Sequence, residues 1–249
     1  MIDLKGIHKT FNRGKANEVI ALTGIDLHVA KGEFVVIVGS NGSGKSTLLN
    51  MVAGSIFPSE GTVNLGDKDV TSLPDYERSR WIARVFQNPL SGTAPDLSIL
   101  DNFRLASLRT HKKGLGIGID KAYIQSVKEV ISSLEMGLEN KIHQPMGTLS
   151  GGQRQALTLL MTVMDKCEVL LLDEPTAALD PRSADVVMKT ADKLIKDYQL
   201  TSILITHNLK DAFTYGNRIL QMTEGKIIHD VTGEARKTIK QNDLFEWFA

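Results

Sequence analysis

The residues whose types and spacing most plainly do chemistry are Gly39-Ser40-Asn41-Gly42-Ser43-Gly44-Lys45-Ser46-Thr47. They follow the apolar run Phe34-Val35-Val36-Ile37-Val38, which reads as a buried strand. They precede Leu48-Leu49-Asn50-Met51-Val52-Ala53, which reads as the start of a helix ending near Gly54. The pattern G-x-x-x-x-G-K-[ST] between a strand and a helix is a phosphate-binding loop. Glycines let the backbone curl until successive N–H groups face one anion, and the helix N-terminus adds partial positive charge. Lys45 brings a full charge to the β- and γ-phosphates of a nucleotide, and the Ser46 hydroxyl can ligate Mg2+.

Phosphate binding alone does not specify hydrolysis. The apolar run Glu168-Val169-Leu170-Leu171-Leu172 ends at Asp173-Glu174-Pro175-Thr176. Asp173, at the strand end, is expected beside the phosphate loop, where it can hold Mg2+ through water. Glu174 follows it and by period-two alternation points elsewhere. A second carboxylate beside a metal-bound γ-phosphate can orient and deprotonate the attacking water. Phe11, at the start of the polar loop Asn12-Arg13-Gly14-Lys15-Ala16-Asn17-Glu18, is either an ordinary core residue or a platform for a stacked adenine.

These groups need a scaffold to bring them together, and the patterning supplies one. Ile2-Asp3-Leu4-Lys5-Gly6-Ile7, Val19-Ile20-Ala21-Leu22 and Ile25-Asp26-Leu27-His28-Val29 read as separate strands. Further strands are expected at Gly61-Thr62-Val63-Asn64-Leu65, Trp81-Ile82-Ala83-Arg84-Val85-Phe86 and Thr201-Ser202-Ile203-Leu204-Ile205, with a short helical stretch over 75–80. The strand at 81–86 delivers Gln87; the one at 201–205 delivers Thr206-His207. Residues 88–148 change to helical periods, over 99–106 and 124–134, separated by the glycine-rich Gly114-Leu115-Gly116-Ile117-Gly118, which reads as a flexible linker. A helix opens at Leu149-Ser150-Gly151-Gly152-Gln153 and runs through Thr162; another runs from Pro181 to about Tyr198. Residues 218–222 and 226–230 read as a hairpin around Glu224-Gly225. The tail Leu244-Phe245-Glu246-Trp247-Phe248 is either a packed terminal helix or a contact patch.

The chain has 249 residues, enough for one large α/β domain, and an ordinary globular composition with 42% hydrophobic and 23% charged residues. Its 29 basic and 29 acidic side chains balance, which argues against a dedicated nucleic-acid binder. The single cysteine, Cys167, rules out an internal disulfide. No stretch approaches the roughly 18 uninterrupted apolar residues that span a bilayer, and the N-terminus Met1-Ile2-Asp3-Leu4-Lys5 has no apolar signal segment.

The phosphate loop, Gln87, Leu149-Ser150-Gly151-Gly152-Gln153, Leu171-Leu172-Asp173-Glu174-Pro175-Thr176, Ala178-Leu179-Asp180 and Thr206-His207 stand in that order. Over essentially its whole length the chain resembles the nucleotide-binding subunit of an ABC (ATP-binding cassette) system, and the L-S-G-G-Q element separates that family from other phosphate-loop ATPases. The resemblance implies an α/β fold: a phosphate-loop NTPase (RecA-like) core with an N-terminal antiparallel β subdomain and an inserted helical subdomain. Within a single 1–249 ATPase domain, it makes 1–87 and 155–249 the ATP-binding core and 88–154 the helical signature subdomain.

The resemblance also implies roles. ATP and Mg2+ are the expected cofactors. Gln87 resembles the glutamine that touches Mg2+ and senses the membrane subunit, and with Ser46 and Asp173 completes the expected metal set. Ser150, Gly151, Gly152 and Gln153 are assigned to nucleotide, with Ser150 and Gly152 on the γ-phosphate of ATP held by the opposite subunit. Asp180 resembles the aspartate that communicates across the dimer, His207 the histidine on the γ-phosphate, and Phe11 the aromatic under adenine. Glu174, His207 and Lys45 form the expected catalytic set. Ala177 departs from the family, many members of which have serine there. The implied protein is a peripheral ATPase on the cytoplasmic face of a membrane, closing as a homodimer on two ATP molecules. Its implied partners are a transmembrane permease and a solute-binding protein, and its implied task is uptake of a small solute such as an amino acid. The other readings are a soluble cassette serving iron–sulfur cluster assembly and a cassette for lipoprotein release or cell division.

Overall fold

The computed structural model describes residues 1–110 and 118–238 and Trp247. In chain order, β1 (Ile2–Phe11), β2 (Val19–Val29) and β3 (Phe34–Val38) lead into α1 (Lys45–Ala53). β4 (Glu60–Leu65), β5 (Lys68–Asp69), α2 (Asp75–Arg78) and β6 (Ile82–Val85) follow, then α3 (Ile99–Ala106), α4 (Lys121–Ser132) and α5 (Gly151–Thr162). The chain continues through β7 (Val169–Asp173), α6 (Pro181–Asp197), β8 (Thr201–Ile205) and α7 (Leu209–Thr214) to β9 (Arg218–Thr223), β10 (Lys226–Thr232) and α8 (Gly233–Thr238).

Two sheets result. An antiparallel sheet runs β2-β1-β4-β5, and a six-stranded sheet runs β10-β9-β3-β8-β7-β6. In the second, β3 pairs in parallel with both β8 and β9, and β7 pairs in parallel with both β8 and β6. Strands covered on both faces must be apolar throughout, which is why Phe34–Val38 and Val169–Leu172 show no polar alternation. Their successive side chains split between two cores. Val35, Ile37, Leu171, Ile203 and Ile205 pack with Leu48, Leu49 and Val52 of α1 and with the antiparallel sheet. Val36, Val38, Leu170, Leu172 and Leu204 pack with Phe103, Val127, Leu157 and Ala191 on the helical side. The helices between β6 and β7 therefore share a core with the sheet.

The parallel register determines where chemistry can happen. Ile37 and Asp173 both pair with Ile205, so β3, β8 and β7 end level with one another. The chain leaving each strand, at Gly39, Thr206 and Glu174, emerges at one carboxyl edge, where open α/β sheets bind ligands. At the far end of α1 from this edge lies the fully buried Arg78. It donates to the last-turn carbonyls of Met51 and Val52 at 2.7 and 3.0 Å, adding to the Gly54 N–H that Met51 already accepts, and burial pushes its guanidinium down to about 10.

The sequence reading needs correction in three places. Residues 19–22 and 25–29 are one strand, because the β1–β2 ladder absorbs irregularities around Gly6 and Gly24 and Thr23 N–H donates to the Gly225 carbonyl, 2.9 Å away. The helix expected over 124–134 starts earlier, at Lys121, because the Asp120 side chain accepts from Tyr123 N–H as its cap. The short elements β5, α7 and α8 had no periodic signal. The linker expectation at 114–117, and the tail apart from Trp247, lie outside the described residues.

Candidate functional site

The phosphate loop folds as its composition requires. Gly39 has φ of 142°, and a Cβ there would stand 2.1 Å from the Met222 carbonyl oxygen, so only glycine fits. The loop closes around Lys45. Its ammonium donates to the Gly39 and Ser40 carbonyls at 2.8 and 2.7 Å and to Ser43 Oγ at 3.3 Å. Burial pushes the Lys45 ammonium below the usual lysine range, against the pull of the Glu174 and Asp173 carboxylates. A cavity of about 300 Å³ opens over this loop. Asn41, Gly42, Gly44, Lys45, Ser46 and Thr47 line its floor.

Glu174 and His207 close one side of the cavity, and Phe11, with Val19 and Ile20, the other. Phe11 is half-buried, and the Lys9 ammonium stands 4.9 Å from its ring. Val19 and Ile20 are more than half exposed at 54% and 65%, leaving apolar surface beside Phe11. They were not anticipated as site residues; two exposed β-branched residues after a polar loop were the available signal.

Glu174 points elsewhere than Asp173, as alternation implies, but a turn and not a continuing strand aims it. β7 ends at Asp173, and Glu174 takes a φ of 46°, in the left-handed region, with its N–H on the Ile205 carbonyl at 3.0 Å. The turn brings its carboxylate to the cavity, whose lining does not include Asp173. There Oε1 meets His207 Nε2 at 2.8 Å and Oε2 accepts from Gln87 Nε2 at 3.3 Å. An off-region backbone at a carboxylate facing a cavity is the kind of local strain that active sites retain. The three elements that deliver Gln87, Glu174 and His207 are β6, β7 and β8, so these side chains converge only through the sheet.

Asp173 is held differently. Its Oδ2 pairs with Arg84 Nη2 at 2.8 Å, with both side chains about 15% exposed. Arg84 was read only as part of a strand, although a lone cation in an apolar run requires a buried counter-charge. The expected metal donors, Ser46, Gln87 and Asp173, are all oxygens, as a hard cation demands. Among the described residues no group of three or more His, Cys, Asp or Glu could hold a metal alone. Mg2+ would fit here by sharing these few donors with nucleotide phosphates, its usual mode of binding.

The Ser150 element lies elsewhere, outside the lining of the cavity. Ser150 caps α5 through a reciprocal pair: its Oγ accepts from Gln153 N–H at 3.3 Å, and Gln153 Oε1 accepts from Ser150 N–H at 3.2 Å. The buried Arg154 braces the preceding chain by donating to the Met146, Gly147 and Leu149 carbonyls at 3.2, 2.9 and 2.9 Å. Gln155 Nε2 donates to the Phe86 carbonyl at 2.8 Å, which ties α5 to the residue before Gln87. A Cβ on Gly152 would stand 2.5 Å from Ser183 Cβ, so glycine lets the starts of α5 and α6 lie side by side. Gly151 faces Leu179 at that junction. Asp180 caps α6, accepting from Arg182 and Ser183 N–H at 3.1 Å, and the Ser183 side chain together with these backbone bonds holds its carboxyl below the usual range. A larger cleft, about 640 Å³, between Phe34, Asp192, Ile195 and Asn217 holds none of the groups described above.

The family model described as ABC transporter matches residues 22–177. A tyrosine transport ATP-binding protein of Clostridioides difficile (strain R20291) is 35% identical over 253 residues, covering all of this chain and 98% of that one. A macrolide export ATP-binding/permease protein, MacB, of Campylobacter fetus subsp. fetus (strain 82-40) is 34% identical over 97% of this chain and 36% of its own length. Among solved structures, a dimeric post-hydrolysis state of the ATP-binding cassette MJ0796 bound to ADP and Pi superposes with a TM-score of 0.80. It is 28% identical and covers 93% of this chain and 98% of that one.

Proposed function

The chain belongs to the ABC transporter family as an ATP-binding cassette that hydrolyses ATP, and we propose that it powers solute uptake through a separate transmembrane permease. The observation that carries the site assignment is the meeting of Lys45, Glu174 and His207 around one cavity at the carboxyl edge of a parallel sheet.

In this reading the loop N–H groups and Lys45 bind the β- and γ-phosphates, while Phe11, Val19 and Ile20 receive the adenine. Ser46, Gln87 and Asp173 hold Mg2+, which when bound neutralises charge on the phosphate oxygens. Glu174 accepts the proton of the attacking water; Gln87 and His207 fix its two oxygens, and His207 reaches the γ-phosphate. Ser150, Gly151, Gly152, Gln153 and Asp180 serve the nucleotide held by a second copy, so ATP joins two chains and its hydrolysis releases them. Residues 1–87 and 155–249 act as the ATP-binding core, and 88–154 as the signature-bearing unit.

The permease side of the proposal draws on the edge of the six-stranded sheet. Two clefts of about 410 and 330 Å³ flank β6 and share Arg84 and Arg109. Tyr76 (72%), Leu105 (52%) and Leu90 (46%) expose large apolar groups nearby. Among the described residues no helix is long and apolar enough to cross a membrane, so a separate membrane-embedded partner is required on this reading. The tyrosine transport relative, matched along nearly its full length, favours amino-acid uptake over macrolide export, since the chain spans about a third of the export protein.

Purification of tagged Glu174→Gln protein from native membranes, in mild detergent with ATP and Mg2+, tests the proposal. It should bring down a polytopic membrane protein in stoichiometric amount, together with a solute-binding protein. Recovery of soluble partners alone would replace the transporter with the soluble assembly ATPase.

A further inference from the structure

Two arginine–aspartate pairs in this molecule have equally buried arginines and unlike geometry. Arg218 and Arg84 are each 14% exposed at the side chain. Arg218 grips Asp230 with two prongs, Nε at 2.7 Å and Nη2 at 2.6 Å, while its Nη1 donates to the His28 carbonyl at 2.7 Å. That is the planar fork geometry of a permanent structural pair. Arg84 touches Asp173 through Nη2 alone, and its buried Nε has no hydrogen-bond partner. The rest of its anchorage is the face of Phe86, 4.6 Å from the guanidinium carbon.

An under-satisfied guanidinium in a mostly buried site is costly to keep unless it does something there. Its position says what. Arg84 pairs in register with Leu171 of β7, and Asp173 lies two residues on, so both side chains project from one face of the sheet. Asp173 is the carboxylate proposed for Mg2+. We propose that Arg84 is a positioning residue for the nucleotide site: it neutralises Asp173 while no divalent cation is bound, and gives up that carboxylate when one arrives. The inference rests on the nucleotide-and-cation reading of the site.

The electrostatics run in opposite directions for the two states. Without the cation, Arg84 and Lys45 are the positive charges near Asp173 and Glu174, and both favour an incoming polyphosphate. With the cation, the Arg84 charge repels it and competes for Asp173. A guanidinium held by one hydrogen bond can be displaced. Arg84 also lines the 330 Å³ cleft at the sheet edge, whose wall includes the Asp75 carboxylate. That cleft offers the displaced guanidinium room, with the Asp75 carboxyl and the Arg109 guanidinium both among its lining residues.

The experiment measures ATP affinity of the full chain by calorimetry in EDTA and in Mg2+, and Mn2+ uptake by the ATP-loaded protein by electron paramagnetic resonance. Arg84→Met should weaken ATP binding in EDTA by about tenfold and lower the half-saturating Mn2+ concentration by about tenfold, with opposite signs because one charge is removed from both balances. Arg84→Gln should give the same opposed pair, and Arg84→Lys should restore wild-type values in both assays. Affinities that both fall, or an unchanged Mn2+ titration, would assign Arg84 a purely structural role. Wild-type protein that binds no ATP in either condition would instead overturn the nucleotide reading on which the inference rests.

Discussion

At the phosphate loop, Lys45 is 5% exposed and its ammonium is bonded to three oxygens of its own loop, while Glu174 is gripped by residues from two other strands. At the start of α5, Ser150 is exposed and bonded only within its own helix turn, and no cavity described over the phosphate loop includes it. The first region is a pocket that one chain completes. The second is a capped helix end on exposed surface, outside the lining of that pocket. A helix N-terminus favours an anion, and the proposed reading gives this one the nucleotide held by a second copy. The contrast teaches that one region is enclosed by its own chain while the other stays open, which is the difference the proposed dimer would use.

The comparison can be broken by substitution, and the largest effect should come from the closed pocket. Glu174→Gln keeps the shape and the contact to Gln87 but removes the proton acceptor. Steady-state hydrolysis should fall by about 10²–10⁴ with ATP affinity retained, and gel filtration with ATP should show accumulated dimer. Wild-type turnover in this variant would remove Glu174 from the mechanism.

A smaller effect, and a sharper one, is expected at the open helix end. Ser150→Ala should cost the α5 cap about 1 kcal/mol, seen as a lower thermal midpoint. ATP binding by dilute monomer should be unchanged, while turnover under dimerising conditions drops about tenfold, the loss expected for one hydrogen bond to a charged group. Equal loss in both assays would mean that the two regions belong to one intrachain site.

An effect of similar size, but confined to nucleotide binding, should lie at the rim of the closed pocket. Phe11→Ala removes a stacking surface and should weaken ATP binding by about 1–2 kcal/mol, with Phe11→Trp restoring it and kcat little changed. No change on Phe11→Ala would return Phe11 to the role of an ordinary core residue.

Legibility in the sequence follows the range of the interactions. The phosphate loop was readable because its chemistry is local: glycine spacing, one lysine and an adjacent helix start lie within nine consecutive residues, Gly39 to Thr47. The apolar runs of β3, β7 and β8 were readable because burial on both faces leaves no alternative composition. The cap at Ser150 was readable from Ser150 and Gln153 three positions apart. The merging of two expected strands into β2 was not, since it depends on a bulged ladder to β1 and a bond to Gly225. Nor were the partners of Glu174, because the strand stops one residue earlier and a left-handed turn brings its carboxylate to Gln87 and His207.

By itself, then, the order of residues determined the phosphate loop and the carboxylate pair Asp173-Glu174, because those depend on residue type and short spacing, and it carried the ordered motifs whose family resemblance implied the fold class and the candidate roles of Gln87 and His207. Only the tertiary structure decided that Glu174 sits between Gln87 and His207, that Asp173 faces Arg84, and that Ser150 faces outward. The first two of those relations join side chains delivered by different strands of a parallel sheet, and the register that sets them level is a property of the packed sheet and of no single segment.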